Sequence, residues 1–311
     1  MKTNLELPAE LEPFREELES SEKPVIKITY ERKATDLWSS KFGGVPYLPK
    51  GDDFPQDSDG KYMHLLAQLN FEEIFAQVPY LAPFPTKGIL QFYIGGTGMY
   101  GMDTDKLDNQ KDFKILYFDK IDQKNCQTDF GFLLDLNETY STLNTQKFSA
   151  LQFVDQNNFP IYNPFGEHIF EHYYSPLKHQ DVNNSQEGLA LQFSRDNEWV
   201  NPEDYQFDIF FEEQKLQNFF DLMSADDNRL FEWSCANIYD NHHKIGGYGY
   251  FTQTDPREYS PQYKDHKVVL LHMISDDEIC WGDCGVGNFL IRGEHLENLD
   301  FSQVIYNYDC S

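Results

Sequence analysis

The sequence predicts an α+β protein, internally duplicated, made mainly of antiparallel sheet with a few covering helices. Three observations carry that expectation. The stretch Lys41-Phe42-Gly43-Gly44-Val45-Pro46-Tyr47-Leu48-Pro49 is echoed by Lys244-Ile245-Gly246-Gly247-Tyr248-Gly249-Tyr250-Phe251. The apolar stretches that follow each copy recur in order, residues 65–69 against 270–274 and 88–94 against 285–291. Counterparts therefore stay about 200 residues apart, which suits a duplicated domain and not the short period of a solenoid. Finally, 26 Phe and 19 Tyr in 311 residues weight the apolar content toward side chains that favour strands.

Taken in order, Leu11, Phe14 and Leu18 recur at spacings of three and four, which gives a short amphipathic helix over 9–20. The β-branched, alternating run from Pro24 to Tyr30 is a strand. Gly43-Gly44 then opens a rigid loop, because glycine admits backbone angles other residues resist and Pro46 and Pro49 fix the exit direction. Tyr62 to Leu69 returns as a buried strand, and Asn70 is placed to cap a helix over 71–78 that Pro79 ends. Strands follow at 88–94 and 113–118, joined by the glycine-rich, acidic loop 95–112. Between residues 119 and 199 no clear period emerges, although 150–153 and 189–193 have strand composition. Phe210, Phe211, Leu216, Phe219, Phe220 and Met223 mark a long helix over 208–223. A second buried strand, 267–274, follows the second Gly-Gly motif, and 299–310 closes the chain as a strand. The expected organisation is a first half (1–118), an irregular middle insertion (119–206) and a second half (207–311), in one compact unit.

A formal net charge of −27 and a pI near 4.5 repel phosphate backbones and anionic headgroups. Nucleic acid and membranes are therefore expected non-partners, and a basic protein is the partner such a field would attract. The N-terminal residues lack the apolar stretch of a signal peptide, and no apolar run reaches the length of a membrane span, so a cytoplasmic location is expected. Five scattered cysteines (Cys126, Cys235, Cys280, Cys284, Cys310) are an odd set in a chain of this length, and reduced thiols are expected.

Gly96-Thr97-Gly98-Met99-Tyr100-Gly101 fits the dinucleotide fingerprint, but no helix pattern opens there and Asp103, Asp105 and Asp108 would repel a pyrophosphate. Those three aspartates do not follow a calcium loop either, since Asp108 takes the glycine position and Lys114 the bidentate glutamate position. Cys280 and Cys284, with His266 and His272 upstream, lack the spacing of a zinc knuckle. No cofactor and no metal are expected. No Ser/His/Asp or paired-carboxylate spacing stands out, so binding is favoured over catalysis. Asp255-Pro256-Arg257 reads as a salt-bridged turn. The candidates for binding a ligand, a small molecule included, are Lys41, Gln68, His243, Lys244, Trp281, Asp283 and Asn288, grouped around the two motifs. If the chain is instead a hydrolase or transferase working in a cleft between the halves, His243, Asp283 and Cys284 are its candidate groups.

Six segments together carry a family resemblance: residues 41–49; Leu66-Ala67-Gln68-Leu69-Asn70-Phe71; Tyr100-Gly101-Met102-Asp103; His242-His243-Lys244-Ile245-Gly246-Gly247-Tyr248; residues 251–257; and residues 281–289, beginning Trp281-Gly282-Asp283-Cys284. In these the chain resembles the bacterial YwqG-like family, a domain of unknown function. It departs at Gly249, where a proline is expected, and across 120–200. The resemblance implies a cytosolic, internally duplicated α+β protein without established catalytic residues, and a neighbourhood of toxin systems that suggests an immunity role. The expected function is thus an acidic binding module that engages a protein partner, immunity-type or regulatory.

Overall fold

The computed structural model describes residues 6–95, 99–130, 132, 187–224, 230, 242–276, 278–279 and 281–310. Within them the strand-forming composition is realised as β1 (Lys23–Ala34), β2 (Lys41–Phe42), β3 (His64–Asn70), β4 (Ile89–Ile94), β5 (Phe113–Phe118), β6 (Glu187–Glu198), β7 (His243–Gly246), β8 (Val268–Ile274), β9 (Val286–Ile291) and β10 (Ile305–Asp309). They form one sheet in the order β10-β9-β8-β7-β1-β6-β2-β3-β4-β5, every neighbouring pair antiparallel. Each residue of β3, β4 and β9 is buried, so these strands are covered on both faces. Their near-continuous apolar runs are the sequence counterpart of that double burial.

The sheet curls until its two edges approach one another. Phe113 of β5 and Tyr306 of β10 bring their ring centroids to 5.4 Å, and the Tyr306 amide donates to the Leu107 carbonyl at 3.0 Å. The result is a nearly closed, barrel-like sheet, which leaves little bare edge for unwanted pairing. Its interior is a single apolar cluster that includes Ile28, Leu69, Phe92, Phe113, Ile245, Leu271 and Phe289. Phe92 and Phe289, from opposite flanks of the sheet, meet edge to face with centroids 5.1 Å apart.

Helices are few and short. The expected helix over 9–20 is a 3-10 turn (Ala9–Phe14) that continues as α1 (Arg15–Ser20), with Pro13 inside the turn removing an amide donor. Leu11 and Leu18 are fully buried against a cluster with Val200, Phe207, Phe219 and Tyr248. α2 (Phe71–Gln77) is capped as its sequence implied: Asn70 Oδ1 accepts from the amides of Glu72 (3.1 Å) and Glu73 (3.5 Å).

The helix expected over 208–223 is broken into α3 (Phe207–Phe210) and α4 (Glu213–Met223), with Phe211 and Glu212 extended. On an unbroken helix Phe219 would lie about 120° around from Phe207. The break instead lets Phe207, Phe211 and Phe219 converge, with centroid distances of 4.5, 5.1 and 5.5 Å, on the ring of Phe14. Two further short helices, α5 (Pro256–Tyr259) and α6 (Gly293–Glu297), cover the second flank.

The strand composition at 189–193 is the middle of β6, which pairs along its whole length with β1 at the centre of the sheet. The piece at 150–153 lies outside the described residues, as does most of the middle insertion. The closing strand is confined to β10, and a 3-10 turn (Phe301–Gln303) precedes it. Among the described residues no helix is long and apolar enough to cross a membrane.

Candidate functional site

Each Gly-Gly motif begins with a strand lysine. Lys41 of β2 lies opposite Gln68 of β3, and Lys244 of β7 lies opposite His272 of β8, which in turn faces Asn288 of β9. Gly43, Gly44, Gly246 and Gly247 all have positive φ, between 62° and 77°, so both loops leave their strands through left-handed backbone.

The first motif closes on itself. Lys41 Nζ donates to the carbonyls of Asp36 and Val45, each at 2.7 Å, and the side chain is wholly buried. That burial pushes the ammonium down to about 7. Gln68 Nε2 donates to Leu37 O (2.8 Å) and Ser39 O (2.7 Å), while its Oε1 accepts from the Tyr47 amide (2.8 Å) and Gln91 Nε2 (2.7 Å). Gln91 also donates to Tyr47 O at 2.6 Å and accepts from Tyr93 OH at 2.9 Å. Such a network fixes the loop, because a buried polar group left unpaired is costly.

The second motif is tied differently. Lys244 Nζ donates to both oxygens of Glu198 at 2.9 Å, and the Tyr248 amide donates to the same carboxylate. Gly247 makes room for it: a Cβ there would sit 1.9 Å from Glu198 Oε1. His272 Nδ1 bonds Asn288 Oδ1 at 2.8 Å, and Asn288 Nδ2 donates to Tyr250 O at 2.8 Å.

His243 stands between the motifs, its ring centroid 5.1 Å from that of Phe42. Its Nδ1 accepts from the Ile274 amide (3.2 Å), which leaves Nε2–H to donate to Asp276 Oδ2 (2.8 Å), where Tyr30 OH also donates (2.6 Å). Burial raises the Asp276 carboxyl, but the hydrogen bonds from His243 and Tyr30 outweigh it and hold the group below its ordinary value. Asp276 Oδ1 meanwhile accepts the amides of Glu278 (2.9 Å) and Ile279 (2.8 Å). The Tyr–Asp–His row thus anchors a turn.

The seven candidate residues do not form one constellation. Lys41 and Gln68 share one network, Lys244 and Asn288 belong to another, and β1 and β6 separate the strands that carry the two lysines. Trp281 is fully buried in an aromatic stack with Tyr100 and Tyr308, centroids at 6.0 and 5.9 Å. Asp283 and Cys284 are exposed on the turn that follows it. Cys280 and residues 96–98 of the glycine motif lie outside the described residues. Asp103 is spent on its own loop, accepting from the amides of Asp105 (3.0 Å) and Lys106 (3.1 Å) and from Asn109 Nδ2 (2.6 Å). Among the described residues no group of three or more His, Cys, Asp or Glu could hold a metal ion.

Two features depend on distant partners. Arg257 is wholly buried and is more than a turn clamp: it meets Asp255 at the N-cap of α5 (2.7 Å) and also Asp204 (2.8 Å), and donates to His266 O (2.9 Å). Burial opposes its charge, yet the two carboxylates hold the guanidinium above its ordinary value. The other is a set of crowded carboxylates nearby. Glu203 is held above its ordinary value by burial and then by Glu258 and Asp309; Glu258 is raised by burial and then by Asp255, Asp208 and Asp204. Neither spacing nor composition announces them, since the residues come together from distant parts of the chain.

A family model described as Domain of unknown function (DUF1963) matches residues 40–310. No curated protein gives a significant match.

Proposed function

The chain belongs to the DUF1963 family, and we propose that it is a cytosolic acidic binding module for a basic protein partner, in an immunity-type or regulatory role. The observation that carries this reading is the crowded set of carboxylates around Glu203 and Glu258. Burial first, and neighbouring carboxylates second, hold both groups above their ordinary values, and an incoming cation would relieve the mutual repulsion. The net charge of −27 extends the same field over the whole molecule and would accelerate encounter with a positively charged surface. The polar residues of both motifs support it from the other side, because their side chains are engaged inside the chain.

The same proposal includes a duplicated origin for the two flanks of the sheet and a YwqG-like identity within the family. What supports duplication is the paired detail: a register shift after Leu65 in β3 and after Val269 in β8, and Tyr47 and Tyr250 carbonyls each accepting from a side-chain amide of the second strand that follows, β4 and β9. Superposition of residues 41–94 on 244–291 tests it, and failure to superpose would refute it.

The functional test is affinity capture from a native lysate at low and high salt. The expected result is recovery of a basic protein at low salt and its release at high salt, with recovery lost when Glu203 and Glu258 are both changed to Gln. Recovery of no protein, together with a small molecule retained near Lys41 and Lys244, would overturn the reading. That outcome would favour the alternative of a small-ligand binder, hydrolase or transferase acting between the two flanks.

A further inference from the structure

A groove of about 390 Å³ runs along the C-terminal half of α4, lined by Pro202, Glu203, Phe219, Phe220, Asp221 and Met223, with Ser224 at its end. Its floor is fixed. Phe219 lies fully buried beneath it, held by Phe14 (5.3 Å between centroids) and Phe207 (5.1 Å), so the partly exposed Phe220 and Met223 on the same helix stand on a fixed apolar base. Beside it Phe220 is 41% exposed, and Ile209, on the α3 segment that packs its Phe207 ring 5.8 Å from that of Phe220, is 63% exposed. Scattered apolar residues on a surface need no explanation, but an exposed phenylalanine that itself lines a groove marks a candidate contact site.

The rim selects the sign of the occupant. Glu203 and Asp221 supply carboxylates, and among the described residues no lysine or arginine lines the groove; Lys215, on the same helix, is paired with Glu17 on α1. An anionic or purely apolar ligand would leave these carboxylates uncompensated, whereas cationic side chains beside an apolar one would satisfy floor and rim together. The volume lies at the low end of the about 300–1,000 Å³ typical of ligand sites, enough for an anchoring side chain and not for a folded domain.

We propose that this groove receives a basic segment of a protein partner, with one apolar side chain on Phe220 and Met223 and flanking lysines or arginines against Glu203 and Asp221. The proposal rests on the acidic-module reading and adds where, and by what kind of segment, the partner docks. An apolar anchor gives the site selectivity that charge alone lacks, since desolvated anchors carry most of the energy of an interface.

Fluorescence anisotropy on the full chain tests it with two labelled probes: a Lys/Leu peptide with leucines at helical spacing, and an oligolysine of equal charge. The Lys/Leu peptide is expected to bind at least about tenfold more tightly. Phe220→Ser, at an exposed position, should remove about that factor, and Glu203→Lys with Asp221→Lys should weaken binding more than the double reversal Asp105→Lys with Asp59→Lys. Circular dichroism verifies that each variant is folded, and Met223→Gln replaces Phe220→Ser if the latter is not. Equal affinity for both probes, tighter binding of oligolysine, or equal loss in both double reversals overturns the groove and leaves the acidic module standing. Failure of both probes to bind at low salt overturns the groove and the module together.

Discussion

Replacing Arg257 by methionine keeps an unbranched chain of similar reach and removes the charge that neutralises Asp204 and Asp255. Both carboxylates are wholly buried in side-chain terms, so water cannot replace the guanidinium. Breaking a buried ion pair by removing one partner costs about 3–5 kcal/mol, much of it from the charge left behind. Here two carboxylates share the loss, which argues for the upper part of that range. Against a total stability of about 5–15 kcal/mol, this is a third or more of what holds the protein folded. At roughly 2–4 °C per kcal/mol for chains of about 150–250 residues, the melting temperature should fall by about 10 °C. Urea unfolding followed by circular dichroism measures the first quantity, and a thermal scan the second. The triple variant Arg257→Met, Asp204→Asn, Asp255→Asn should recover part of the loss, because it removes both buried charges, while each Asn keeps one oxygen where the carboxylate used both to accept backbone amides. A loss under about 1 kcal/mol in the single variant, or no recovery in the triple, would refute the reasoning.

Lys41 gives a pH-dependent prediction. Burial pushes its folded-state value down to about 7, below the ordinary 10.5, so between those values the unfolded chain holds the extra proton. The stability of the native protein relative to Lys41→Met should therefore rise with pH across that window and level off below it; urea midpoints of the two proteins at pH 6, 7.5 and 9 measure the difference, and a flat difference would rule it out. Gly247→Ala should destabilise far more than Gly51→Ala, although both backbones are left-handed at φ 67° and 98°. Each suffers about 1–3 kcal/mol of backbone strain, but only at Gly247 would the new Cβ fall 1.9 Å from Glu198 Oε1 and drive the carboxylate off Lys244, whereas nothing lies within 4 Å at Gly51. Equal melting temperatures for the two variants would remove Glu198 as the cause.

Elements whose causes are local were readable from the residues alone. Asn70 caps α2 because its side chain reaches amides two and three residues ahead. The strands at 64–70, 89–94 and 268–274 were legible because burial on both faces leaves nearly unbroken apolar runs. Gly43-Gly44 announced a loop through backbone angles that other residues resist, and both it and Gly246-Gly247 leave their strands in left-handed backbone. The candidate lysines were likewise legible as residues to examine, but their surroundings were not, since Lys41 closes on its own loop and Lys244 reaches a carboxylate 46 residues away.

What joins these pieces depends on contacts between distant segments. β6 lies at the centre of the sheet although it follows a stretch without readable period, because its place is set by pairing with β1, more than 150 residues earlier in the chain. The break at Phe211 has no stop residue behind it. It is imposed by the convergence of Phe207, Phe211 and Phe219 on Phe14, contributed by the N-terminal turn. Arg257 could be matched to Asp255 from sequence because two residues separate them, but Asp204 lies 53 residues away and Glu203 meets Glu258 and Asp309 only in the folded chain. Periodicity and capping act over a few residues, whereas compensation of a buried charge, or crowding of an uncompensated one, depends on which distant segments the sheet brings within a few ångströms.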